Sequence, residues 1–301
     1  MYISLILIWG VLMAYMYFAK INVNSEEIFD VYNKKVLLAD VLKDIILKVD
    51  SKVSVDLPKN KECIKFITIS KDERMGYITG RVVKIFSDEI KIYDKEADDL
   101  IDLPNDKLAR TATFYFDVYK EIIAFTTGQY LSTNQFCNFF ELLLNEHVGK
   151  NLFKVVLLKN EDGFRERLKL FRKILKVDLI LVPKNPGACD IERMYANPEI
   201  IEQVQATCYR QEFSIDRKSS NGLNIDNAFM NNAILGVSSG YGDMKVEGIG
   251  DDGEKMTVNS CKDVVERKSI PDNVKHSIPY VHEQGKSSIA YILGKLMKRN
   301  M

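Results

Sequence analysis

Apolar and polar positions alternate along this chain with two periods, and their order predicts the architecture. Near the middle, Thr111-Ala-Thr-Phe-Tyr-Phe-Asp-Val118 reads as a strand, Tyr119-Lys120 as a turn, and Glu121-Ile-Ile-Ala-Phe-Thr126 as the returning strand. A helix follows, opened by the Ser132-x-x-Gln135 capping box, with Phe136, Phe139, Phe140, Leu143 and His147 on one face and Gly149 as its stop. Phe153 to Leu158 is then a strand, Glu161 to Leu175 a second helix, and Lys176 to Pro183 a last strand. The order β-β-α-β-α-β predicts a ferredoxin-like central module over residues 108–185.

Upstream, Tyr17 to Val23 reads as a first strand, Ser25 to Tyr32 as a helical turn, and Val36 to Val49 as an amphipathic helix. Ile64–Ile69, Gly76–Phe86 and Glu89–Tyr93 read as antiparallel strands joined at Lys71–Arg74 and at Ser87-Asp88. Downstream, Ala206 to Ile215 reads as extended and Asn224 to Leu235 as a helix stopped by Gly236. Gly242–Ile249 and Glu254–Asn259 read as a hairpin, and Ser287 to Asn300 as an amphipathic helix. The whole is an α+β protein: an antiparallel, β-rich N-terminal part (20–107), the central module (108–185) and a mixed C-terminal part (186–301).

Residues 1–19 carry no charge and nearly match the length of a membrane span. They read either as an N-terminal anchor or as a segment upstream of the natural start at Met13 or Met16. The strand beginning near Tyr17 favours the second reading, because a strand cannot also end a membrane helix.

Composition narrows the function. With 42 basic and 42 acidic residues the formal net charge is zero, so only a local patch can serve an anionic partner. Five scattered cysteines lack a metal or disulfide spacing and fit a cytoplasmic protein. Asp88 to Lys107 holds eight acids and three lysines and reads as a solvated loop. Glu89-Ile-Lys91 matches the E-x-K spacing of one nuclease superfamily, without an identifiable partner aspartate. Gly248-Ile-Gly-Asp-Asp-Gly253 matches a dinucleotide fingerprint literally, but a strand follows the glycines, so it reads as a hairpin turn. His147 reads as a helix-end side chain; His276 and His282 fall in loop-like sequence around Pro279 and make no site. Ser238-Ser-Gly-Tyr-Gly242 reads as a flexible linker. No catalytic residue, cofactor or metal site is expected.

On the second predicted helix, Arg165, Lys169, Arg172, Lys173 and Lys176 share an arc of about 100°, apart from the apolar face. Eight basic and four acidic residues lie between Asn151 and Pro183. Such a stripe can track a phosphate backbone. Thr113-Phe-Tyr-Phe116, Ile122-Ile-Ala-Phe-Thr126, the Phe-rich helix and Val177-Asp-Leu-Ile-Leu-Val-Pro183 resemble an uncharacterised family of bacterial proteins. More distantly they resemble the RexA phage-exclusion proteins and the KwaB components of Kiwa defence. The resemblance implies a DNA-binding component of antiphage defence, often dimeric, with further defence proteins as partners. The expectation is therefore a non-catalytic, sequence-nonspecific DNA binder. The alternatives are a metal-dependent nuclease using acids near Glu89, and a membrane-tethered sensor or effector using residues 1–19.

Overall fold

The computed structural model describes residues 12–58, 62–96, 98–128, 130–185 and 203–299. It confirms the α+β class, with antiparallel sheets throughout. Among the described residues, twelve strands fall into two sheets. The larger follows the order β12 (Arg267–Pro271), β1 (Met13–Val23), β6 (Ile122–Thr127), β5 (Asp99–Asp117), β4 (Tyr77–Asp94), β3 (Cys63–Asp72) and β2 (Ser54–Asp56). β7 (Phe153–Leu157) lies end to end with β12 along the outer side of β1. The smaller sheet runs β11 (Lys255–Asn259), β10 (Gly242–Gly250), β8 (Phe171–Leu181), β9 (Tyr209–Ser214).

The predicted hairpin at Tyr119, the strand through Tyr17–Val23 and the capping box all appear. Ser132 Oγ accepts from the Gln135 amide, and the Gln135 side chain accepts from the Ser132 amide. The helix they open, α3 (Thr133–Val148), packs its phenylalanines on one face of the larger sheet, with Phe136 stacked on Phe125 at 3.8 Å. α1 (Glu27–Tyr32) and α2 (Leu38–Lys48) join that core. The opposite face is covered by the last helix, α7 (Ile278–Arg299), through Ile289 and Ile292 against Met16, Phe18 and Tyr115. α7 starts nine residues before the predicted Ser287. Ser277 accepts from the Tyr280 amide, and Pro279 sits in the first turn, where a missing N–H costs nothing. His282 is therefore on a helix and not in a loop.

Several further expectations are corrected. The β-β-α-β-α-β order is present, but not as a ferredoxin-like module: β7 pairs with β1, while β8 leaves for the second sheet. Strand pairing runs across residue 107, where β4 pairs with β5, and joins β1 to β12. Ser87-Asp88 is a register irregularity inside one 18-residue strand, and the described backbone of 88–107 is hairpin where a loop was expected. Finally, the helix after Asn227, α5 (Ala228–Ser238), runs through Gly236 and stops at Gly240. The Tyr241 amide bonds Gly236 O and the Gly240 amide bonds Val237 O, a Schellman closure with Gly240 at φ +82°. A Cβ there would lie 2.8 Å from Lys20 Cβ. The expected flexible linker is thus a buried helix cap. The literal G-x-G-x-x-G does fall at the β10–β11 hairpin, and β11 leads into a single helical turn, α6 (Ser260–Asp263).

Candidate nucleic-acid interface and a buried polar seam

The predicted basic helix is shorter than its pattern suggested. α4 spans Glu161–Leu168, and the chain then turns into β8 at Phe171. Arg165 lies on α4 and Lys169 at its C-cap, while Arg172, Lys173 and Lys176 lie on a strand, so the single helical stripe does not exist. A β-irregularity explains the pattern. Lys176 pairs with Glu247 and Ile174 with Gly248, leaving Leu175 unmatched. The inward residues Ile174 and Val177 are therefore three apart, as on a helix.

Folding nonetheless brings four of the five together. Arg165, Lys169, Arg172 and Lys173 line one cleft of about 360 Å³, closed on the other side by Gly222, Asn224 and Asp226. Gly222 permits the approach: a Cβ there would stand 2.8 Å from the Ile174 amide nitrogen. Leu223 N donates to Ile174 O, so this segment continues the sheet edge beside the first half of β8.

The four differ in availability. Lys173 Nζ is committed to the carbonyls of Arg217 and Ser219 and pins the 217–222 loop. Arg165 donates to Glu161 at 2.8 Å and to Asn231 at 2.7 Å. Lys169 pairs only with Glu166, both well exposed, a contact of little energy in water. Arg172 is exposed, and no ion pair holds it among the described residues. Lys176 lies away from the cleft between Asp178 at 3.1 Å and Glu212 at 3.0 Å, which neutralise it and raise its pKa.

A second polar cluster was missed from the sequence because its members are far apart in it. Between the two sheets, fully buried Lys159 donates to Gly242 O and meets Asp243, both at 2.7 Å. Burial pushes the Asp243 carboxyl up, but Lys159 with hydrogen bonds from Cys261 and Ser260 outweighs it and leaves it below the usual carboxylate range. Burial pushes the Cys261 thiol up to about 12 and raises that of Cys137 as well. Both stay protonated at neutral pH, so neither is an activated nucleophile. Beside them, Lys20 and Glu121 form a buried ion pair at 2.7 Å, with Lys20 Nζ 5.2 Å from the Tyr241 ring centre. Asn22 donates to Gly240 O, and Asn185 bonds both Ile21 O and the Val23 amide. This seam ties one sheet to the other.

His147 is not at the carbonyls that end α3; its ring nitrogens contact Leu143 O and Asp50 O. His276 lies against Gly128. Among the described residues no group of three or more His, Cys, Asp or Glu could hold a metal ion. Glu89 sits opposite Pro104 on β4, and its side chain is outside the described part. Residues 1–11 of the suggested anchor also lie outside it, and no described helix is long and apolar enough to cross a membrane.

A family match covers residues 14–280. The chain belongs to the DUF4747 family, a domain of unknown function. The DUF4747 match takes in both sheets, the cleft and the seam, and ends within α7. It establishes membership of an uncharacterised family and carries no link to RexA or KwaB. No curated protein matches the sequence.

Proposed function

We propose that this DUF4747 protein binds the sugar-phosphate backbone of DNA without reading its sequence, through the cleft between the end of α4 and the start of β8. The carrying observation is the gathering of Arg165, Lys169, Arg172 and Lys173 around one cleft, with Arg172 unpaired and Lys169 in a pair that water already competes for. Arg172 and Lys169 make the phosphate contacts; Arg165 adds one by turning from Asn231; Lys173 holds the loop. Lys176 takes no part. The role is one of binding, not catalysis; a setting in bacterial antiphage defence belongs to the same proposal and rests on the sequence resemblance to RexA and KwaB alone.

Anisotropy titration with a random-sequence duplex over a salt series tests this. Affinity should fall steeply with salt, and Lys169→Glu/Arg172→Glu should weaken binding on the order of 100-fold at low salt for every sequence alike. The log–log salt slope should drop by about one for each lost contact. Lys176→Ala should change nothing. Unaltered binding in the double variant would sink the assignment. If the defence setting is right, cells expressing that variant should also lose any restriction of phage plating seen with the parent protein.

A further inference from the structure

The basic cleft has an apolar interior as well as a charged rim. Buried Leu168, Ile174 and Ile234 close its floor, beneath a space of about 360 Å³. Phe171, half-buried, lines the same space. Its ring packs against the β10 backbone: a Cβ on Gly248 would stand 2.8 Å from Phe171 Cδ1, so the strand leaves room for the ring and holds it there. The cations line one side only, along α4 and the start of β8, and the facing side carries Asn224 and the exposed Asp226. The phosphate rail of a duplex engages the rim alone. It brings nothing apolar to the floor, and phosphates pressed onto leucine and isoleucine lose water without replacing it. Asp226 repels a second rail on its own wall. The interior therefore calls for a group with a flat apolar face and a polar edge.

We propose that the cleft seats an unstacked base, so that the DNA it prefers is single-stranded. This rests on the DNA-binding reading above and narrows it. The base lies against Phe171 and the apolar floor, and every base offers the π-face that this contact needs. The phosphates on either side of it stay at the rim with Lys169 and Arg172. Asp226 then faces the pairing edge of the base. Each of the four bases carries an N–H on that edge, engaged in a duplex and free in a single strand, so the carboxylate accepts from any of them. The cleft thus reads strandedness without reading sequence. Its volume, at the small end of ligand sites, suits one base at a time.

Anisotropy titration of the full chain tests the inference with three probes: a short random-sequence single strand, the duplex of that strand, and an abasic strand of the same length. A duplex carries about twice the charge of a single strand per unit length, so electrostatics alone favours it. The single strand should nonetheless bind on the order of tenfold tighter at equal salt. The abasic strand keeps the phosphates and lacks the bases, and should give up that advantage. Phe171→Leu, which keeps an apolar contact and removes the ring, should weaken single-strand binding about tenfold and leave duplex binding as it was. Should that variant disturb β8, the abasic comparison on the parent protein reads the same contact. A single strand bound no tighter than duplex, or an abasic strand bound as tightly as the intact one, overturns the proposal and leaves the backbone-binding reading in place. So does a single-strand affinity untouched by Phe171→Leu. Binding of none of the three probes at low salt would overturn both.

Discussion

Lys20 shows how much a single buried charge can decide. It sits on β1 between β6 and β7, on the face shared with Phe18, where an alkyl side chain would be expected. Burial alone would lower its pKa, yet Tyr241 and Glu121 together outweigh that and hold it above the ordinary lysine value. The ammonium therefore stays charged, and its stability depends on Glu121 staying ionised. Removing one partner strands the other in a low-dielectric site. Lys20→Met should cost about 3–5 kcal/mol, and Lys20→Met/Glu121→Leu should recover most of that loss. Urea denaturation of the two single variants and the double gives the cycle. Additive losses would mean that the pair is not a unit. Neither residue stands out in the sequence: Lys20 reads as the first charge after an apolar run, and Glu121 as the first residue of the returning strand.

Elements were legible where local chemistry sets their ends. Ser132 and Gln135 announce the start of α3, and Gly149, in the left-handed conformation, its end. Elements were misread where a local irregularity imitated another signal. The unmatched Leu175 gave β8 a helical spacing, the irregularity after Phe86 looked like a turn, and Gly236 looked like a stop although the Gly240 closure lies four residues later. The cleft was half legible: its basic residues are close in sequence, but the facing segment at Gly222 is brought in only by sheet pairing. The start of α7 was not legible, because Pro279 in its first turn hides it. Docking of α7 also gives a pH dependence. His282 packs on the rings of Tyr77 and Tyr115, at 4.5 and 4.9 Å. Burial, and then Lys286, push its pKa below the ordinary value; His276 shifts the same way, first through burial and then through Lys275. With the folded pKa depressed, the unfolded chain binds protons more readily. The stabilisation is complete above about pH 6.5 and is lost as pH falls from there toward the folded pKa. The urea midpoint should therefore drop between pH 7 and 5.5, and His282→Phe should remove part of that slope while keeping the aromatic stack. An unchanged slope would place the titration elsewhere.

At the scale of the whole molecule, two sheets of unequal size are joined across a polar seam. Among the described residues, the larger sheet and its helices on one face bury 31 apolar residues in one cluster, against 14 around the smaller sheet. The smaller unit is the weaker, and what ties it to the larger is polar: Lys159 on Gly242 and Asp243, and Asn22 on Gly240. Such contacts contribute little net when complete, but leave buried groups unpaired when broken, so the seam resists partial opening. Lys159→Met removes two contacts at its centre and keeps the stem. Native-state hydrogen exchange should then show the β10 amides, such as Val246, losing about 2–3 kcal/mol of protection, while those of β6, such as Phe125, lose clearly less. In the parent protein the two sets should open with similar free energies. Equal losses in both sheets would mean that the seam stabilises the fold without coupling its halves. The coupling would then reside in the chain crossings, where the Asn160 amide bonds Val264 O and Lys295 on α7 pairs with Asp162 on α4.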